Sequence, residues 1–172
     1  MEIRPITKDR EQDLRLPNEP FTMPGTFIPE LKDGCWSYRV ELYDEPRTMC
    51  FPDENYEFAD CIRDGFALGA YEGEKCVGLA VFRNDFWKYL YVYDLKVNAA
   101  HRGKGIGKAL IAAGLAEAKK RNYLGLYLQA QDNNLNACLF YLKTGFTIGG
   151  FNNRVYDGTS QEGKSDIFFY LR

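Results

Sequence analysis

Residues 102–108 read Arg-Gly-Lys-Gly-Ile-Gly-Lys, a stretch whose residue types and spacing suit anion chemistry. Gly103, Gly105 and Gly107 alternate between a β-rich run, Tyr89–Val97, and a helix-prone run, Lys108–Lys119. Glycines leave backbone N–H groups uncovered. At a helix start those amides lack partners and the helix dipole is positive, so such a turn holds phosphate. Arg102, Lys104 and Lys108 add charge of the same sign. The turn reads as a pyrophosphate site. Two familiar phosphate loops fit it badly. A P-loop needs Gly, four residues, then Gly-Lys-Ser/Thr. Here three residues separate Gly103 from Gly107, and Ala109 follows Lys108, so no hydroxyl is placed for magnesium. A dinucleotide fingerprint needs G-x-G-x-x-G after a first strand. This chain has G-x-G-x-G, after what reads as an antiparallel meander.

A second signature lies downstream. Asn134, Ala137, Tyr141, Gly145 and Phe146 stand in the order Asn-x-x-Ala-x-x-x-Tyr-x-x-x-Gly-Phe. Helical spacing puts the first three on one face, and Gly145 suits a helix stop. Together with Arg102-x-x-Gly105-x-Gly107, this pattern resembles the GNAT superfamily of N-acetyltransferases. The resemblance runs over roughly residues 65–151. Further residues are similar to those of streptothricin acetyltransferases. They are Pro17-Asn-Glu-Pro-Phe21, Ile28-Pro29, Trp36, Tyr43 with Pro46, Asn84-x-x-Trp-x-Tyr89, Gln131-Asp-Asn-Asn134 and the ending Phe169-Tyr-Leu-Arg172.

The resemblance implies acetyl-CoA as donor and an amine as acceptor. Deprotonating an alkyl ammonium of pKa 10.4 costs about 4.6 kcal/mol at neutral pH. A placed carboxylate can take the proton, directly or through water. Asp94, three residues before Val97, stands where the family often has one. Strand alternation groups it with Leu90, Val92 and Lys96, unless a bulge intervenes. Tyr141 carries a hydroxyl able to protonate the leaving thiolate. By resemblance, the backbone of Leu95, Lys96 and Val97 holds the pantetheine arm and the carbonyl oxygen. Arg102, Gly103, Lys104, Gly105, Ile106, Gly107, Lys108, Asn134 and Tyr141 complete the expected cofactor contacts. Glu19, Trp36, Glu41, Tyr43 and Trp87 are the expected acceptor contacts, and no metal is implied. His101, the single histidine, has no nucleophile motif to serve.

The elements that must position these groups follow from periodicity. Strands are expected at Glu2–Ile6, Trp36–Tyr43, Gly65–Tyr71, Cys76–Arg83, Tyr89–Val97, Tyr123–Gln129, Phe146–Phe151 and Asp166–Leu171. Glu72-Gly73-Glu74-Lys75 signals a hairpin. Helices are expected after residue 6, at Glu54–Arg63, from Ile106 to about Arg121, and at Asn134–Thr144. The longest should bury Ile106, Leu110 and Ala113 and expose Glu117. Residues 14–35, punctuated by Pro and Gly, read as irregular. The class is α/β. The resemblance implies a mixed, mostly antiparallel sheet flanked by helices and splayed at the cofactor site. It also implies one acetyltransferase domain over 1–172: an acceptor-side segment 1–64, a cofactor core 65–151 and a C-terminal hairpin strand 152–172.

Composition bounds the rest. The 172 residues are 45% hydrophobic and 15% aromatic, which suits a folded domain and excludes disorder. No signal peptide or apolar span of ~18 residues is visible. Five cysteines without a C-x-x-C pair argue for reduced thiols in a cytoplasm. A net charge of −2 makes nucleic acid an unexpected partner. Eight acids between Glu41 and Asp64 face two arginines, whereas six Lys/Arg lie between His101 and Asn122 against one acid. That asymmetry suits an anionic cofactor and a cationic acceptor. The expected activity is acetyl transfer to a small cationic amine, in first place the β-lysine moiety of streptothricin. Another polyamine, a protein amine, or a non-catalytic acetyl-CoA sensor stand as alternatives. A homodimer is compatible with the chain.

Overall fold

The structure is a computed structural model that describes residues 1–85 and 88–172. The chain divides into two interleaved units, Met1–Pro20 with Cys50–Leu126, and Phe21–Met49 with Tyr127–Arg172.

In the first unit, β1 (Glu2–Pro5), β4 (Gly65–Glu72), β5 (Lys75–Arg83) and β6 (Tyr89–Val97) pair in that order, every pairing antiparallel. A 3₁₀ helix (Lys8–Arg15), α1 (Phe58–Asp64) and α2 (Ile106–Lys120) complete it. Gly78 of β5 and Gly114 of α2 let the helix lie close on the sheet. A Cβ on Gly78 would stand 3.0 Å from Ile106, and one on Gly114 would stand 2.1 Å from the Phe82 ring. Ile106, Leu110, Ile111, Gly114 and Ala118 are the buried α2 positions; Ala113 is half-buried, the stripe having drifted one residue. The opposite sheet face carries Leu79, Val81 and Ala67 against Ile6, Leu14, Tyr56 and Cys61.

The expected helix at Glu54–Arg63 begins four residues late. Asn18 and Lys96 hold the Glu54 carboxylate, and Glu57 is still extended at ψ 133°. The strand expected from Tyr123 starts at Gly125, because Asn122 (φ 62°) and Tyr123 close the end of α2 through Lys119 O and Ala118 O.

In the second unit, β2 (Phe21–Lys32) and β3 (Cys35–Met49) form a two-stranded sheet. This overturns the irregular reading of residues 14–35. Asp33 and Gly34, at φ 51° and 76°, make the two-residue turn that matches strand twist. That Asp-Gly pair was the signal overlooked. The prolines are tolerated because a two-stranded sheet leaves edge N–H positions open. Pro24 sits where the register slips, between Met23↔Arg47 and Gly25↔Leu42, so Tyr43–Pro46 bulge from β3. The unit also holds α3 (Leu135–Thr144), β8 (Thr147–Asn152), β9 (Asp166–Leu171) and residues 127–131 of β7 (Gly125–Gln131), in sheet order β7-β9-β8. The hairpin is bonded within this unit by Phe27 N to Asp132 O and Asn136 Nδ2 to Thr22 O. Phe27 packs on Tyr38 and Phe169. Among the described residues, no helix is long and apolar enough to cross a membrane, and no cluster suits a metal ion.

Candidate active site

The glycine turn is built as a helix start. Gly105 is the N-cap of α2 in the left-handed region at φ 82°, and Gly103 lies at φ 75°. Ala109 N–H returns to Gly105 O, the first helical bond, so the amides of residues 106–108 precede any intrahelical acceptor. Among the described residues no side chain caps them, and the first turn carries no acid. A Cβ at Gly103 or Gly105 would meet nothing within 4 Å. Lys104 and Lys108 are exposed. These features fit a pyrophosphate: open amides, room above the glycines and local positive charge. Arg102, grouped with the anion contacts, does another job. Its guanidinium ties Val97 O, Pro20 O and Glu19 O together at 3.0, 3.0 and 3.3 Å. The Glu19 carboxylate, expected on the acceptor, takes the backbone N–H of Ala99 and pins the short 3₁₀ turn Ala99–His101.

Asp94 is placed by a β-bulge. Val81 pairs with Asp94 but Phe82 pairs with Val92, leaving Tyr93 as an extra residue in β6. Cross-strand partners share a face, and Val81 and Phe82 point to opposite faces. Asp94 and Lys96 therefore lie with Val81 and Leu79, away from Val92. The expected grouping with Leu90 and Val92 fails for this reason. The Asp94 carboxylate is 15% exposed and accepts from Tyr56 OH at 3.1 Å. Lys96 Nζ stands 3.2 Å from it and 2.5 Å from Glu54. Burial raises the Asp94 carboxyl above its ordinary range, and Lys96 and Tyr56 draw it back. Burial beside Asp94 likewise raises the Tyr56 phenol. The Lys96 side chain is thus committed to carboxylates. Leu95 and Val97 lie on the other face of β6, opposite Ala80 and Gly78. Sequence reasoning missed Tyr56 and Glu54, which are distant in the chain and carry no local spacing signal.

In the second unit, Asn134 is the N-cap of α3, its Oδ1 accepting Ala137 N–H at 3.3 Å. Its amide serves the helix start. Gly145 at φ 103° stops α3, and Phe146 N–H returns to Tyr141 O. This closure sets the Phe146 ring 5.6 Å from the half-buried Tyr141 ring, with Phe169 at 5.8 Å. Rings on two sides fix the Tyr141 side chain.

The proposed acceptor contacts are dispersed. Glu41 is exposed and paired with Arg39. Tyr43 shares a hydrogen bond with Thr26 at 2.8 Å and lies under Arg47. Trp36 is half-buried opposite Leu31. Trp87 lies outside the described residues. The acidic stretch is largely neutralised. Glu54 meets Lys96, Glu57 meets Arg15, and Asp60 and Asp64 meet Arg63. Asp44 and Glu45, on the β3 bulge, form no ion pair among the described residues.

Comparison with known proteins fits this geometry. Residues 32–146 match the model of the acetyltransferase (GNAT) family. The chain belongs to this family. It is 31% identical over 171 residues to streptothricin acetyltransferase A of Bacillus subtilis (strain 168), covering 99% of each chain. A Bacillus anthracis str. Ames protein described as a streptothricin acetyltransferase, solved with acetyl coenzyme A, superposes at TM-score 0.88. It is 28% identical, with 99% of this chain and 97% of that one covered. Nourseothricin acetyltransferase superposes at 0.81 with 26% identity, covering 99% of this chain and 96% of the other.

Proposed function

We propose that this chain transfers the acetyl group of acetyl-CoA to an amine of streptothricin, on its β-lysine moiety, and so confers resistance. The observation that carries the donor is the turn of residues 102–108. Its left-handed glycines expose α2 amides, and the first turn of α2 carries no acid. The acceptor is favoured by similarity to Bacillus subtilis streptothricin acetyltransferase A that runs through 99% of the chain, well beyond the family core.

Acetyl-CoA supplies the activated acyl group; the chain supplies the rest. The first-turn amides of α2, with Lys104 and Lys108, hold the diphosphate. Asp94 is the proton acceptor for the amine. Its raised pKa makes it a stronger base than an exposed carboxylate, and its contacts with Lys96 and Tyr56 favour the ionised form. Tyr141, fixed between aromatic rings, donates its phenolic proton to the departing thiolate. Residues 1–172 serve as a single acetyltransferase domain in this reading. The reduced-thiol chemistry of Cys35, Cys50, Cys61, Cys76 and Cys138, all unpaired as disulfides, suits a cytoplasm.

The test is an acceptor screen that follows thiol release from acetyl-CoA, with streptothricin, simple diamines and an uncharged-side-chain peptide as acceptors. Rapid turnover of streptothricin alone is expected. Turnover of the peptide and none of streptothricin would overturn the substrate.

A further inference from the structure

The second unit holds a buried cluster for which the mechanism above has no use. Gln131, at the end of β7, is 9% exposed. Its Nε2 donates to Tyr156 OH and to Gln161 Oε1, each at 2.8 Å. Lys164 donates to the same Gln161 oxygen at 3.0 Å. That oxygen is therefore an acceptor, which fixes the orientation of the Gln131 amide. Tyr156 passes its own proton to Asp166 at 2.9 Å. Asp132 takes bonds from Ser165 and from the Asn133 backbone, and its charge opposes that of Asp166. Two acceptors remain over. Gln131 Oε1 and Asn133 Oδ1 are fully buried and have no hydrogen-bond partner among the described residues; Asn133 is 8% exposed and Asp166 7%.

The donors and acceptors do not balance. Two amide oxygens are left without a donor among the described residues, Asp166 acts on Asp132 as a like charge, and the neighbouring cation, Lys164, is spent on Gln161. A buried acceptor without a proton costs about 1–3 kcal/mol. Burial raises both carboxyls above their ordinary range, and a positive partner favours their ionised forms. A positively charged nitrogen with several hydrogens supplies what these four groups lack: donors for the amide oxygens and charge for the carboxylates.

We propose that Gln131, Asp132, Asn133 and Asp166 form a subsite for a cationic nitrogen group of the acceptor, an ammonium or a guanidinium, separate from the amine that is acetylated. The two roles fall to different nitrogens: this pair of carboxylates holds a nitrogen in its charged form, whereas the reacting amine gives up its proton to Asp94. The subsite rests on the acceptor reading above. It moves recognition from the exposed acids of residues 41–45 to a buried cluster.

Calorimetry of streptothricin binding to the full-length protein without acetyl-CoA tests this. Asp166→Asn keeps a partner for Tyr156 but removes the charge. It should weaken binding about tenfold to a hundredfold, the range for losing a hydrogen bond to a charge. Tyr156→Phe, which leaves the charge, should weaken it less than about threefold. A subsite role also predicts proton release on binding in mildly acidic buffer, visible as a dependence of heat on buffer ionisation and absent in Asp166→Asn. Acetyl-CoA affinity reports folding; should Asp166→Asn lose it, Asn133→Ala takes its place, with a fivefold or greater loss expected. Agmatine and putrescine as competitors separate guanidinium from ammonium. Wild-type affinity for streptothricin in Asp166→Asn, with turnover intact, would overturn the subsite and leave the acceptor standing. Asp166-dependent agmatine or putrescine binding by a protein that ignores streptothricin would overturn the acceptor and leave the subsite standing.

Discussion

Replacing Gly105 separates the turn's conformational role from its ligand role. Its φ of 82° and ψ of 3° are left-handed, and a Cβ there would touch nothing within 4 Å. Gly105→Ala therefore meets no clash in the free protein. It incurs about 1–2 kcal/mol of backbone strain, offset by about 0.4–1 kcal/mol from a less flexible unfolded chain. A net loss of about 0–1.6 kcal/mol is expected in denaturant unfolding. Asparagine tolerates left-handed backbone, so Gly105→Asn should recover much of that loss. Binding should order the variants differently. A side chain above the α2 amides displaces phosphate from N–H groups, and a hydrogen bond to a charge is worth about 1.5–3 kcal/mol. Calorimetry with CoA should show both variants weakened, about tenfold to 150-fold. If Gly105→Asn bound CoA as the wild type does while Gly105→Ala differed only in stability, the turn would be a helix cap and the anion assignment would fall.

Three further outcomes follow. Tyr141→Phe keeps the contacts with Phe140, Phe146 and Phe169 but loses the hydroxyl; turnover should drop ~10²–10⁴-fold with acetyl-CoA affinity unchanged by calorimetry. Asp94 must be ionised to accept a proton, so the acid limb of the kcat/KM profile reports its pKa. Tyr56 and Lys96 both lower that pKa, so Tyr56→Phe and Lys96→Met should each move the limb to higher pH; movement to lower pH would remove Asp94 as the base. Gly114→Ala forces a methyl to within 2.1 Å of Phe82 and should cost about 1–3 kcal/mol, read as a lowered denaturant midpoint.

What could be read in advance depended on range. β6, α2, α3 and β9 were legible because hydrophobic period and glycine stops are local. The turn of residues 102–108 was legible for the same reason. The hairpin of β2 and β3 was hidden by its prolines, although Asp33-Gly34 marked its turn. The face of Asp94 was unreadable, because one inserted residue, Tyr93, reverses the alternation and leaves no trace in composition. Tyr56 meets Asp94 across 38 positions. Gln131 and Asp166 join through Tyr156 by tertiary contact. Glu19, Arg102 and Asn134 carried the right residue types, yet the structure engages them in main-chain bonds.

Acetyl transfer from acetyl-CoA to streptothricin can be observed directly. The most direct measurement incubates the purified chain with both and follows the antibiotic by mass spectrometry and the thiol by absorbance. Monoacetylated streptothricin, modified on its β-lysine moiety, is expected, with one thiol released per acetyl group transferred. Thiol release no faster than in the absence of protein, with the antibiotic unmodified, would contradict it.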